Sequence, residues 1–301
     1  MSVVSGRPLV LNLLTSLRPS QWTKNLVVFA GLIFGRKLFV WSAVLEVIAA
    51  FAIFCCLSGV VYLVNDVLDR ESDRRHPLKA KRPIASGAVG VGTATTAAVV
   101  LTALGLLAAF ALNLRFGLVA AAYTGLLVLY SGPLKQIVII DVLTIAIGFV
   151  LRAVAGAVAV DVQISHWLLV CTILLALFIA LAKRRHELTL LAGDATSHRR
   201  ILGEYSPQLL DQIIAVVTAS TLIAYVFYTI SPETEQKFGT TWLGLTIPFP
   251  LYGIFRYLYL IHQRAGGGSP ADLLLADRPL LACVALWALM VALIIYQPLM
   301  P

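Results

Sequence analysis

The chain is written as long apolar runs joined by short charged connectors. Charge-free stretches long enough to cross the ~30 Å hydrocarbon core of a bilayer occupy Val47 to Val64, Ala88 to Leu112, Phe116 to Leu134, Val162 to Ala182, Gln212 to Pro232 and Pro279 to Pro301. Two further runs are as apolar but carry charge inside them. Ile137 to Val160 holds Asp141 and Arg152, and Thr241 to Ile261 holds Arg256. A ninth, weaker segment starts near Gln21 and reaches Gly35 before Arg36 and Lys37 interrupt it, which suits a tilted, short or partly interfacial first helix. The pattern predicts an all-α integral membrane protein of nine transmembrane helices, a single polytopic domain over residues 1–301. No repeat of about 20 to 50 residues is evident.

Composition narrows the class. With 59% hydrophobic and 13% charged residues, the chain cannot be two soluble domains, which carry about a quarter charged residues. Cys55, Cys56, Cys171 and Cys283 all lie in apolar runs without metal-ligand spacing and read as small buried apolar side chains. The first residues lack the short apolar core and cleavage site of a secretory signal, so the spans themselves are expected to direct insertion. The net charge of +8 is explained by topology. Nine spans with a cytosolic N-terminus collect seventeen of the 23 basic residues on the cytosolic side, the asymmetry that orients membrane proteins. No nucleic-acid partner is needed to account for it.

Two charged loops, roughly 65–87 and 183–211, fall on that side, and the active site is expected beneath them. A Gly/Ser/Pro stretch at 265–270 reads as a flexible turn. At the end of the second span, Asp66, Asp69 and Asp73 fall within about a 60° arc of a continuing helix, and Glu71 points away. Three carboxylates on one face repel one another, more so at a membrane boundary, and call for a cation. Mg²⁺ suits such oxygen ligands and shares its coordination with substrate phosphates. The plainer reading is a solvated helix end paired with neighbouring arginines. Downstream, Lys79, Lys81 and Arg82 supply fixed positive charge, as a magnesium-diphosphate site requires; alone, the same residues read as topogenic charge.

These residues carry a resemblance. Asn65-Asp66-x-x-Asp69-x-x-x-Asp73 resembles the first aspartate-rich motif of the UbiA superfamily of intramembrane prenyltransferases, nine-helix bundles with a cytosolic-side active cavity. Arg18-Pro19-x-Gln21-Trp22-x-Lys24-Asn25, Tyr62-Leu63-Val64-Asn65-Asp66 and His76-Pro77-x-Lys79-x-x-Arg82-Pro83-Ile84-Ala85-x-Gly87 are more closely similar to its decaprenyl-phosphate phosphoribosyltransferase branch. The likeness continues through Lys183-Arg184-x-x-Glu187-Leu188, Phe255-Arg256-Tyr257 and Asp277-Arg278. It implies a multi-pass protein of the bacterial inner membrane whose site faces the cytosol. Asp66, Asp69 and Asp73 would hold Mg²⁺, with Lys24, Tyr62 and Asn65 joining the substrate-binding residues.

The second loop departs from the superfamily pattern. Instead of a second aspartate-rich face it offers Lys183, Arg184 and Arg185 with one carboxylate, Glu187, and Asp194 seven residues later. Lys183 and Glu187 could be a helix-end pair. The functional reading is that extra positive charge receives the 5-phosphate of phosphoribosyl pyrophosphate, which a prenyl diphosphate lacks. The acceptor, a polyprenyl phosphate, has a second pKa near 6 and is largely ionised at neutral pH, so transfer needs leaving-group stabilisation rather than a strong base.

Asp141 and Arg152, buried ionisable groups in a span, are expected to turn inward. Arg256 and Lys135 are further phosphate-contact candidates, with Tyr130 at the same mouth. Trp22, Trp41, Trp167 and Trp242 sit at span ends, where amphipathic rings favour the interface. His76 could hydrogen-bond phosphate; His166, His198 and His262 read as boundary residues. Two other classes compete with phosphoribosyl transfer to a lipid phosphate for cell-envelope synthesis. One is prenyl transfer from a prenyl diphosphate to an aromatic acceptor; the other is a transporter, which the crowded aspartates argue against. The oligomeric state, a homo-oligomer included, stays open.

Overall fold

Backbone amides in hydrocarbon have no water to bond, so an apolar run must satisfy them within itself, and a helix is the solution open to a single segment. In the computed structural model, which describes residues 8–76, 79–190, 200–263, 273–274 and 276–297, every regular element among the described residues is helical. Pro77, Asp194, His198, the stretch at 265–270, and Arg7, Arg199 and Arg264 of the charge count lie outside the described residues.

The elements are α1 (Leu9–Ser16), a 3₁₀ run over Pro19–Phe29, α2 (Ala30–Phe34), α3 (Trp41–Leu68), α4 (Arg70–Arg75), α5 (Val91–Leu112), α6 (Leu114–Ser131), α7 (Ile140–Ala159) and α8 (His166–Leu190). They continue with α9 (Pro207–Ile230), α10 (Pro232–Phe238), a 3₁₀ turn at Trp242–Thr246, α11 (Pro248–Gln263) and α12 (Arg278–Tyr296). Polar punctuation sets their ends. Asn113, Ser206, Ser231 and Asp277 each accept a backbone N–H in the first turn of the following helix, and Pro207, Pro232 and Pro279 occupy first-turn positions where a missing N–H costs nothing.

Among the described residues, seven helices are long and apolar enough to cross a membrane: α3, α5, α6, α7, α8, α9 and α12. Two segments read as spans from hydropathy are broken. The first is the 3₁₀ run followed by the short α2, entered through Arg18 in a left-handed conformation (φ 53°). The other breaks before Pro248, leaving α11 with 16 residues; a proline has no N–H to continue a preceding helix but starts one well.

The chain forms two compact units. One comprises Met1–Leu32, Lys37–Thr144 and Leu151–Val162; the other comprises Ile33–Arg36, Ile145–Val150 and Gln163–Pro301. In the first, α3 packs against α5, α6 and the 3₁₀ run around Phe54, Leu57, Phe116, Tyr123 and Val28. In the second, α8 lies along α9 and α11 along α12, over a core that includes Tyr225, Tyr228, Phe238 and Ile295.

Gly156 of α7 lets the 3₁₀ run approach backbone to backbone, since a Cβ there would stand 1.8 Å from the Val28 carbonyl oxygen. Gly156→Leu is therefore expected to destabilise the protein by about 3 kcal/mol or more, read as a fall in thermal midpoint in detergent. Gly125→Ala, with nothing within 4 Å of the added methyl, should leave the midpoint near its original value. The four cysteines are free; Cys55 and Cys283 are buried, while Cys56 and Cys171 are half-buried.

Candidate active site

The aspartate face forms because the helix scarcely loses register at its break. Asp69 closes α3 with near-helical torsions (φ −90°, ψ 5°); its N–H bonds Asn65 O, and Asp73 N–H bonds Asp69 O. Asp66, Asp69 and Asp73 therefore remain on successive turns of one face. Glu71 projects away, its side chain 69% exposed beside Arg74.

The carboxylates are not a solvated helix end. Asp66 and Asp73 are each 2% exposed, and their partners lie outside the helix: Arg18, 48 residues from Asp66, and Arg82, nine residues from Asp73. Asp66 accepts from Arg18 and from Arg82 Nη1 at 3.1 Å. The same Arg82 nitrogen reaches Asp73 Oδ2 at 2.6 Å, so one guanidinium joins the first and third aspartates. Asp69 is more open, its side chain 34% exposed. It accepts from Lys135 Nζ at 2.7 Å, and the same ammonium lies 3.4 Å from Asn65 Oδ1. Three carboxylates thus meet three cations, Arg18, Arg82 and Lys135, which is what makes burying them tolerable.

Tyr62, one turn before Asp66, puts its ring under Arg18, with the guanidinium carbon 4.6 Å from the ring centroid. Burial pulls Arg18 below its ordinary pKa, and Asp66 opposes that pull; an arginine keeps its charge regardless. The basic loop is shaped by Arg74 Nε donating 3.0 Å to the Ala85 carbonyl. His76 Nδ1 accepts the Lys79 N–H at 3.3 Å. At Gly87 φ is +85°, a conformation that glycine adopts without cost. Lys79 is half-buried and Lys81 exposed.

Lys24 differs from Arg18, Arg82 and Lys135. It is half-buried, and among the described residues its ammonium makes no hydrogen bond or ion pair. Its charge is within electrostatic reach of Arg152 and Arg18. Arg152, 6% exposed, donates to Asn25 Oδ1 at 2.8 Å and to Tyr123 OH at 2.6 Å. Asn25 in turn donates to Ser58 Oγ at 3.1 Å. Asp141 is fully buried, so both charges within this span turn inward as expected.

The other candidates belong to the second unit. Glu187 is 2.7 Å from Arg184, whose side chain is 3% exposed, and 3.9 Å from Lys183; the closer pair is the one three residues apart. Arg256 forms a two-pronged pair with Asp277, its closer contact 2.8 Å, and Asp277 also caps α12. Arg185 pairs with Asp211, against which His262 Nε2 lies at 3.5 Å.

Sequence reasoning placed Arg18 inside a motif without singling it out as a site residue, and it gave Asn25 and Asp211 no role. The signal for Arg18 was its position before Pro19-x-Gln21-Trp22; its partner lies 48 residues away, beyond any local periodicity. Among the described residues no three acidic, His or Cys side chains stand close enough to form a ready-made metal cage, since Arg82 stands between Asp66 and Asp73. Oxygen-only donors of this kind nevertheless fit Mg²⁺, which needs only one or two carboxylates when other oxygen ligands supply the rest.

The UbiA prenyltransferase family matches residues 25–275. Decaprenyl-phosphate phosphoribosyltransferase of Corynebacterium glutamicum is 31% identical, over 94% of this chain and 86% of its own length. The enzyme of the same name from Mycolicibacterium smegmatis is 32% identical over 93% and 91%. A solved UbiA homologue from Archaeoglobus fulgidus, bound to GPP and Mg²⁺, superposes with a TM-score of 0.71 at 21% identity, covering 94% of this chain and 99% of that one; the fold is therefore shared. With the aspartate face, the apolar helices and these relatives together, the chain belongs to the UbiA prenyltransferase family.

Proposed function

We propose that the protein transfers 5-phosphoribose from phosphoribosyl pyrophosphate to a polyprenyl phosphate, such as decaprenyl phosphate, releasing diphosphate. The observation that carries this reading is the balanced layer of Asp66, Asp69 and Asp73 against Arg18, Arg82 and Lys135, together with Lys24, whose ammonium makes no hydrogen bond or ion pair among the described residues. The names of the relatives, at 31% and 32% identity over most of the chain, support the donor and acceptor.

The chemistry asks little of proton transfer. An oxygen of the acceptor phosphate forms a bond to C1 of the sugar as the C1–O bond to diphosphate breaks, and the leaving group keeps the electron pair. Lys135, Arg82, Lys79 and Lys81 would hold the departing diphosphate, and fixed cations at developing charge are the largest contribution to such steps. Asp66, Asp69 and Asp73 would hold a divalent ion, which when bound neutralises diphosphate charge. Lys183, Arg184 and Arg256 are proposed as contacts for the sugar 5-phosphate, with Glu187 setting the pose of Arg184 and Asp277 that of Arg256. Tyr62 and Asn65 would line the site beside Arg18 and Lys135.

The topology that goes with this reading has nine crossings, counting the broken first segment and the segment ending in α11, with a cytosolic N-terminus in the bacterial inner membrane. The product would serve cell-envelope glycan synthesis. Prenyl transfer to an aromatic acceptor is the second reading, favoured by the shared first aspartate motif. Ligand-dependent thermal protection separates the two: phosphoribosyl pyrophosphate with Mg²⁺ is expected to raise the midpoint, by mass action on the folded state, and geranyl diphosphate is not. Protection by geranyl diphosphate alone would favour prenyl transfer.

A further inference from the structure

Lys24 is a half-buried cation that, among the described residues, does not enter the carboxylate layer. The segment carrying it descends along α3: Arg18 meets Asp66, and Asn25 meets Ser58. Those two anchor points on α3 are eight residues apart, about 12 Å along the helix axis. The backbone at Lys24 therefore lies deeper in the span than the aspartates. At that depth Arg152 is held in place by Asn25 and by Tyr123, with its guanidinium carbon 4.8 Å from the Tyr123 ring centroid.

A half-buried ammonium that makes no hydrogen bond or ion pair among the described residues, on the stretch between Arg18 and the Asn25 that holds Arg152, is unfavourable, because burial removes the water that would solvate it. Such an arrangement becomes favourable when an anion enters. A soluble diphosphate donor reaches the carboxylate layer from the aqueous end. A phosphate carried on a hydrocarbon chain approaches from the bilayer, at the level where Lys24 stands.

We infer, building on the phosphoribosyl-transfer reading, that Lys24 with Arg152 and Arg18 forms a separate subsite for the monoester phosphate of a lipid acceptor, on the bilayer side of the aspartates. Lys24 is the mobile contact, and Arg152 is a positioning residue fixed by Asn25 and Tyr123. The site holds the acceptor as its dianion. One phosphate oxygen supplies the electron pair for the new bond to C1, diphosphate departs toward Lys135 and Arg82, and no proton changes hands.

The test is equilibrium binding of radiolabelled farnesyl monophosphate, and separately of phosphoribosyl pyrophosphate, to the full-length protein in nanodiscs. Wild type, Lys24→Gln and Lys24→Arg are compared, with farnesol as the tail-only control. Loss of a charge-assisted hydrogen bond predicts that Lys24→Gln weakens farnesyl monophosphate roughly tenfold to hundredfold. The same variant should move the pyrophosphate donor less than about threefold, and Lys24→Arg should retain most of the affinity by keeping the charge. Farnesol should not distinguish the three proteins. Unchanged farnesyl monophosphate binding in Lys24→Gln, or an equal loss of the donor, would overturn the proposal. A wild type that binds farnesyl monophosphate through Lys24 yet transfers no phosphoribose would retract the donor and leave the acceptor subsite supported.

Discussion

Asp69→Ala is expected to lower phosphoribosyl transfer by about a hundredfold to a thousandfold while leaving the protein folded. The magnitude is that of removing one preorganised charge from a site that stabilises a departing anion. Asp69 is the aspartate best suited to isolate function from stability. Its side chain is 34% exposed and, among the described residues, meets one cation, Lys135, at 2.7 Å; that ammonium, on a side chain 15% exposed, keeps Asn65 Oδ1 at 3.4 Å, so the removal is expected to cost about 1–3 kcal/mol of stability. Asp66 offers no such separation. It is 2% exposed and receives both Arg18 and Arg82, so Asp66→Ala strands Arg18, leaves Arg82 on Asp73 alone, and should lose activity and thermal stability together. Initial rates and thermal midpoints on the same preparations test both statements. An Asp69→Ala variant with wild-type rates would remove the carboxylate face from the mechanism.

Arg82→Gln is expected to produce the largest loss of stability among the site variants, about 3–5 kcal/mol. One of its nitrogens bridges Asp66 and Asp73 at 3.1 and 2.6 Å, and both carboxylates are buried, so removing the guanidinium leaves Asp66 with Arg18 alone and strands the buried charge of Asp73. Arg82→Lys should recover only part of the loss. A single ammonium can approach either aspartate, but it lacks the planar fork that holds a fixed position between two acceptors. Chemical denaturation in detergent, with Arg74→Gln as comparison, reads the effect. Arg74 bonds the Ala85 carbonyl and the exposed Glu71, so its variant is expected to lose about 1 kcal/mol. Equal losses at the two positions would contradict the bridging role.

The parts of this arrangement legible in the sequence are those governed by local periodicity. Helical spacing alone put Asp66, Asp69 and Asp73 on one face with Glu71 opposite, because the break at Asp69 preserves the i to i+4 bonds on both sides. Seven of the nine anticipated spans are continuous long helices among the described residues, since an uninterrupted apolar run has few other ways to bond its backbone. Charges inside a span, Asp141 and Arg152, were rightly expected to face inward.

What was not legible depends on contacts remote in sequence. Arg18 and Lys135 find their aspartates across 48 and 66 residues, and nothing in hydropathy points to either pairing. The 3₁₀ run of the first segment packs backbone to backbone against Gly156, a tertiary contact that a hydropathy window does not register. Asp277 was noted only beside Arg278, yet it both caps α12 and holds Arg256; its place before Arg278-Pro279 was the available cue.

The most direct measurement incubates membranes containing the protein with radiolabelled phosphoribosyl pyrophosphate and decaprenyl phosphate, with Mg²⁺ or with a chelator, in wild type and in Asp69→Ala. The account predicts a lipid-soluble phosphoribosyl product from wild type with Mg²⁺, and nearly none with chelator or from the variant. Undiminished product from Asp69→Ala, or label that stays water-soluble in every sample while geranyl diphosphate is consumed instead, would contradict it.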